Sequence, residues 1–385
     1  MNKVFEANAQ WINDTWEKID CKMQKVCIKS REKLPYTSID GVHDNKAGEK
    51  VRSWTNGFWG GLMWLLYAGT GNEEYKKTAI RSEQLLDKAL EDYKKLHHDV
   101  GFMWLPTSVA RYRITGDKDA CNKGLYVAST LFSRFHIDGG FIRAWNKWNE
   151  PDDNKTKTII DCLMNIPLLY WASKEIGDDR FAKVAMKHAD MVIRDHIRSD
   201  GSINHIVDHN EKTGALVKVY QGQGYSADSS WSRGVAWAIY GMILSYIHTK
   251  QERYMDAAVL AADHFITQCK KTGYLPVVDF YAPQEPVYYD STAGACAACG
   301  LIEIAKCLGD EKGEYYMQEA IKLLQAMDKH FCNYAQDQDA LVMMGSERYP
   351  HDERGFNGLH IPIIYGDFFF VEALLKLKGS DFLIW

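Results

Sequence analysis

Asp99 and Asp161 are the residues whose type and setting best suit proton-transfer chemistry. Asp99 lies in His97-His98-Asp99-Val100-Gly101-Phe102, and Asp161 follows Ile159-Ile160 at the start of an apolar segment. A carboxyl behind two isoleucines at the mouth of an inner helix is partly desolvated. Desolvation raises a carboxyl pKa and makes a better general acid near neutral pH. Both positions equally suit helix N-capping, the ordinary task of Asp at a helix start. Asp228, Asp290 and Asp367 occupy similar places, so capping accounts for part of this set.

Other residues suit binding. Arg233 follows Trp231 and precedes an apolar helix, so its guanidinium needs an anion, either a substrate carboxylate or Asp228. His205 and His209 are four apart in a segment that reads as extended, without an H-E-x-x-H signature; a hydrogen-bonding role in a cleft fits His205 better than metal ligation. Cys296 and Cys299 form a C-x-x-C among small residues, which reads as close helix packing. Trp54, Phe58 and Trp59 are able to stack on a sugar or to fill a core, and Asn56-Gly57 between them offers polar contacts. No phosphate-binding glycine fingerprint is present, which argues against nucleotide chemistry.

These residues need a scaffold. The chain has 385 residues with a net charge of -5, and no basic block marks a nucleic-acid surface. No stretch of about 18 apolar residues is read in the chain, so no membrane span is expected. The first residues lack the apolar run of a secretory signal, and nine irregularly spaced cysteines suit reduced thiols, so a cytoplasmic location is expected. Aromatics reach 12%, including 12 Trp and 21 Tyr.

A short phrase repeats: an apolar helix end, Gly with a polar neighbour, then the start of a further helix. It occurs at Gly71, Gly116, Gly177 and Gly309, with Lys250 in the Gly place in a fifth copy and Gly379 in a truncated sixth. Gly in the left-handed conformation stops a helix, and the neighbouring Asp or Asn caps the next one. Segments before these turns are apolar all round, as buried helices are; those after them are apolar on one face. Each unit therefore pairs an inner with an outer helix. An amphipathic N-terminal helix, about 4–30, lacks a partner, as does the last inner helix, about 366–378. Pairing these two closes a ring of twelve helices: an all-α, (α/α)6 toroid of six hairpins, one catalytic domain over residues 1–385. An open helical solenoid is the alternative, and strand-like pieces such as GYLPVVDFY and ALVMMG are too few for a sheet-based fold.

The outer-to-inner connections are long, near 30–55, 94–103, 135–158, 197–227, 272–290 and 332–365. In a ring they all emerge at one end, and that end gathers Asp99, Asp161, His205, Trp231 and Arg233. An aromatic cleft rich in carboxylates is expected there.

The phrases WTNGFWGGLMWLLYAGTG, HHDVGFMW, IIDCLMNIPLLYWA and QGYSADSSWSRGVAWAIYG resemble those of the unsaturated glucuronyl hydrolases, glycoside hydrolase family 88. The resemblance runs from about residue 50 to IYGDFFFVEAL. It implies an (α/α)6 barrel acting without cofactor or metal on oligosaccharides left by polysaccharide lyases, which carry a C4=C5 double bond in a terminal uronic acid. The family hydrates that bond. By resemblance, Asp161 is the general acid and base, Asp99 the second essential carboxylate, and Trp54, Asn56, His98, His205, Gln223, Trp231 and Arg233 line the cleft. One departure concerns the last long loop, GSERYPHDERGFNGLHIPIIYGD. Members that prefer sulfated glycosaminoglycans carry a Ser- and Lys-containing stretch there; no matching Lys can be placed in this loop, Arg354 and His360 are the candidate substitutes, and a sulfate preference does not carry over. Competing readings are an unsaturated rhamnogalacturonyl hydrolase of the sister family, a toroid sugar epimerase or isomerase using His205 as base, and a non-catalytic glycan-binding protein. Oligomeric state is open.

Overall fold

A computed structural model describes residues 2–146, 154–309, 311–351 and 356–385. Its helices, in chain order, are α1 Asn2–Lys29, α2 Gly57–Thr70, α3 Glu73–Leu86, α4 Val100–Trp104, α5 Ala110–Thr115, α6 Lys118–Phe132, α7 Pro167–Ile176, α8 Arg180–Asp195, α9 Ser232–Thr249, α10 Glu252–Lys271, α11 Ser291–Leu308, α12 Glu311–Phe331 and α13 Ile364–Leu377. Helices α4 and α5 form one inner rod, joined by a π-helical stretch over Leu105–Val109 that accommodates Pro106. The inner ring is then α2, α4–α5, α7, α9, α11 and α13, and the outer ring is α3, α6, α8, α10, α12 and α1. This is the expected (α/α)6 barrel.

The turns behave as their residues dictate. Gly71, Gly116, Gly177 and Gly309 end their helices at φ of 68–71°, and Lys250 adopts the same left-handed conformation at φ 56°. Lys250 does so without the steric freedom of Gly, so the turn is set by the surrounding hairpin. The side chains of Asn72 and Asp117 then accept from the first free N–H groups of α3 and α6. After Gly379 (φ 86°) no helix forms, and residues 380–385 instead lead Trp385 into the core, stacked on Phe369.

Inner helices are buried all round. Every residue of α13, and every residue of α11 from Ser291 to Ala305, lies out of solvent. Against the expectation of no such stretch, α11 has the length and apolarity of a membrane span, but 83% of that window is packed inside the barrel. Its C-x-x-C serves packing as expected. Cys296 and Cys299 are free and buried, with Cys299 Sγ donating to Phe369 O. A Cβ on Gly300 would stand 2.7 Å from Ile239 and 3.0 Å from the Tyr240 backbone, so Gly lets α11 and α9 approach. Outer α1 buries Ile12, Trp16, Ile19, Met23, Val26 and Cys27 on one face, and that face closes the ring against α12 and α13.

All six long connections emerge at the same end of the barrel. They carry small antiparallel sheets: β1 (Ser38–Ile39) with β2 (Val42–His43), β3 (Phe135–His136) with β4 (Phe141–Ile142), and β5 (Lys157–Ile159), β6 (Ile206–His209) and β7 (Leu216–Tyr220) in that order. The segments GYLPVVDFY and ALVMMG form isolated bridges, Val277 with Tyr289 and Cys332 with Val342.

Candidate active site

The β5–β6 pairing builds one half of the site. Register places Ile159 opposite Ile206, and the Ile160 N–H donates to His205 O at 3.1 Å. Asp161 therefore leaves the strand beside His205, on a short 3-10 turn over Ile160–Met164. His205 Nε2 lies 3.5 Å from Asp161 Oδ2. The Gln223 backbone N–H donates to His205 Nδ1 at 2.9 Å. In the neutral ring Nδ1 is thus the acceptor, and Nε2 carries its proton toward Asp161. Trp231 stacks on the imidazole with centroids 4.1 Å apart and fixes its plane.

The second half is the start of α4. Asp99 stands at its N-cap without a capping hydrogen bond, and Asp161 caps nothing either. Their carboxylates are thus free for other work. His98 Nδ1 donates to Ala144 O at 2.6 Å, which leaves Nε2 facing Asp99 Oδ1 at 3.0 Å. The two atoms are close, but Nε2 itself has no hydrogen-bond partner among the described residues. His97 Nδ1 approaches the other oxygen at 3.3 Å. Burial pushes the Asp99 carboxyl up, but His98 and His97 outweigh it and hold the group well below the usual carboxylate range. Asp99 is a standing anion. His97, His98 and Asp99 also bring three potential ligand atoms within 4.8 Å. The three residues are consecutive, and both rings flank the one carboxylate.

Between the halves lies Asn165, which the sequence reading did not single out. Its Nδ2 donates to Asp99 Oδ1 at 3.3 Å and to Asp161 O at 3.2 Å. Its spacing, four residues after Asp161 in one short phrase, was its sequence signal.

A pocket of about 410 Å³, within the usual range for ligand sites, adjoins this cluster through Gln223. Trp54, Gln223, Tyr36, Lys50, Glu347 and Tyr365 line it. The half-buried Trp54 stacks on Tyr365 at 5.1 Å and touches Phe102 of α4. Phe58 and Trp59 are wholly buried core residues. Gln223 joins the pocket wall to His205.

Two expected binding residues face inward. Arg233 pairs with Asp290, not Asp228, at 2.5 Å. It also donates to the carbonyls of Ser346 and Glu347, and is 1% exposed. Burial weakens its hold on the proton, but Asp290 above all reverses this and raises its pKa. Asp228, by contrast, is exposed. Asn56 spends its Nδ2 on Lys50 O and Val51 O, fixing the turn before α2. His209 bonds Asp195 at 3.0 Å, away from His205. His360 accepts the Tyr289 N–H through Nε2 at 2.9 Å, tying one loop to another. Arg354 lies outside the described residues.

The sequence profile described as Glycosyl Hydrolase Family 88 matches residues 26–342. The chain belongs to this family. As a family 88 protein it is a glycoside hydrolase. It is 33% identical over 354 residues to the unsaturated glucuronyl hydrolase of Bacillus sp. (strain GL1), covering 91% of this chain and 92% of that one. It is 32% identical over 328 residues to the unsaturated chondroitin disaccharide hydrolase of Streptococcus pyogenes serotype M1, covering 84% and 80%. A solved structure of an unsaturated glucuronyl hydrolase variant with dGlcA-Glc-Rha-Glc superposes with a TM-score of 0.86 at 30% identity, covering 96% of each chain. In this family 88 chain, the two aspartates expected from the sequence stand within reach of one buried asparagine.

Proposed function

We propose that this family 88 enzyme is an unsaturated glucuronyl hydrolase, residues 1–385 acting as one catalytic unit. It hydrates the C4=C5 bond of a terminal unsaturated uronic acid and releases the adjoining sugar. The observation that carries this reading is the Asp161–His205 contact at 3.5 Å, next to an aromatic pocket whose wall residue Gln223 donates its backbone N–H to His205. The names of its relatives point the same way, toward glycosaminoglycan-type fragments.

The chemistry follows from the groups present. Asp161, protonated, delivers its proton to C4, and positive charge develops at C5 and the ring oxygen. The resulting carboxylate takes a proton from water as its oxygen bonds to C5. The hemiketal so formed opens and expels the remaining glycan. The anomeric carbon is never attacked, so the carboxylate-spacing rule for retaining and inverting glycosidases does not apply. Asp99, held anionic by His98 and His97, supports the developing cation and positions substrate hydroxyls. His205, backed by the buried Trp231, orients Asp161, and Trp54 packs against a sugar face. The nine unpaired cysteines support a reducing compartment, and we infer a cytoplasmic location.

The test uses unsaturated disaccharides from chondroitin, heparan and pectin digests, followed by the ultraviolet absorbance of the double bond. Loss of absorbance with the native enzyme and none with Asp161→Asn is expected. No loss on any disaccharide would overturn the assignment for these substrates, whereas preference for the pectin product would favour the sister activity.

A further inference from the structure

Asn165 has no solvent-exposed surface, and its amide is fully committed. Nδ2 donates one proton toward Asp99 Oδ1 and the other to the carbonyl of Asp161, while Oδ1 accepts the Phe102 N–H at 2.8 Å. Phe102 lies in the first turn of α4, where backbone N–H groups lack helical acceptors. The reverse orientation would set the amide oxygen against a carboxylate and a carbonyl, and the amino group against an N–H. One orientation therefore satisfies all three partners. Gly101 seals the arrangement. A Cβ there would lie 2.5 Å from Asn165 Cα and 2.7 Å from its Oδ1.

We propose that Asn165 is the positioning residue that holds Asp99 and Asp161 in register, by tying the first turn of α4 to the 3-10 turn that carries Asp161. The proposal rests on the reading of these two aspartates as the proton-handling pair. Asn165 is enclosed and touches no reacting atom; it acts through the two segments it joins. No other side chain hydrogen-bonds to both segments among the described residues. Asn is the one residue type able to donate twice and accept once at this reach, since Asp donates nothing when ionised and Gln is longer by a methylene.

Several charged or titratable groups surround Asp99: His97 and His98 on its own segment, Cys162 and Asp161 on the 3-10 turn, and Arg134, which shares Ala144 O with His98. Asn165 supplies the neutral donor among them. Removing it weakens the hold on the anion. Replacing it by Asp sets a second carboxylate against the first.

Three variants test this. In Asn165→Ala and in Gly101→Ala, which leaves the amide intact but displaces it, kcat on the preferred unsaturated disaccharide should fall by about 10²-fold and about 10-fold, because ångström-scale misplacement costs this much. KM should stay within about threefold, since substrate contacts are untouched. In Asn165→Asp the Asp99 carboxyl, followed by ¹³C NMR of labelled protein, should titrate at higher pH than in the native enzyme. If Asn165→Ala fails to fold, Gly101→Ala and Asn165→Ser carry the kinetic test. Native kcat in these variants, with a lowered melting temperature alone, would overturn the proposal and leave Asn165 a structural residue. So would an unmoved Asp99 titration. If the native enzyme turns over no unsaturated disaccharide, the functional reading fails separately, and the NMR titration still decides whether Asn165 governs Asp99.

Discussion

His205 Nε2 faces Asp161 Oδ2 across 3.5 Å, and neither atom has a hydrogen-bond partner elsewhere among the described residues. Two buried polar atoms left in this state are costly unless a ligand or water completes them. The pair is thus built to be finished by what binds between or beside them. His205→Gln keeps the bulk but not the ring stacked on Trp231. Its kcat/KM should fall by about 10²–10³-fold, the usual worth of a group that orients an acid–base residue. Continuous absorbance assays on an unsaturated disaccharide measure this, and a loss of less than about threefold would remove His205 from the reaction.

Arg233 serves the scaffold through Asp290. Both are buried, and Asp290 also caps α11 by accepting the Thr292 N–H. Arg233→Met strands a buried carboxylate and should cost about 3–5 kcal/mol of stability, read from urea unfolding. Arg233→Met with Asp290→Asn removes both charges and keeps the cap, so much of that loss should return. If the double variant is no more stable than the single, Arg233 contributes chiefly by packing on Trp231 and Tyr365.

Trp54 is half-buried and shares a face with Tyr365. Its other surface lines the pocket. Trp54→Ala should raise KM by about 3–10-fold, the worth of one aromatic contact, with a smaller change in kcat. Trp54→Phe should retain most of the binding. An effect confined to kcat would place Trp54 nearer the reacting carbon than its position suggests.

Stability should fall on acidification from neutrality. Burial lowers His43 to about 4 and His196 to about 3, and drives His188 well below its ordinary 6.5. In the unfolded chain these rings bind protons near 6.5, so that state binds more protons than the fold as pH drops. Stability is complete above about 6.5 and is lost toward the folded values. Asp367 opposes this: burial raises it to about 6, so it favours the fold as pH falls below that point. His248, His264 and His360 are lowered by burial as well and Glu372 is raised, so six histidines against two carboxyls leave a net loss. The urea midpoint should decline between pH 7 and pH 5, and a flat profile would show that these rings are already protonated in the fold.

The sequence by itself determined the barrel. Its signals are local: a residue that accepts φ near +70°, a cap beside it, and apolar spacing that separates round-apolar from one-faced helices. Each acts within about one helical turn, so Gly71, Gly116, Gly177, Lys250 and Gly309 could be read in place. The alternation of short and long connections then put Asp99, Asp161, His205 and Trp231 at one end. The tertiary structure decided the partners. Arg233 finds Asp290, 57 residues on, and the Glu347 carbonyl holds Gln223 from 124 residues away. Nothing near either residue announces the other, because such pairs are chosen by how the rings of helices and their loops close in space. The same holds for Asn165. Its type and spacing were visible, but that one amide spans two segments follows from the approach of α4 to the 3-10 turn across Gly101, a contact that exists only in the closed barrel.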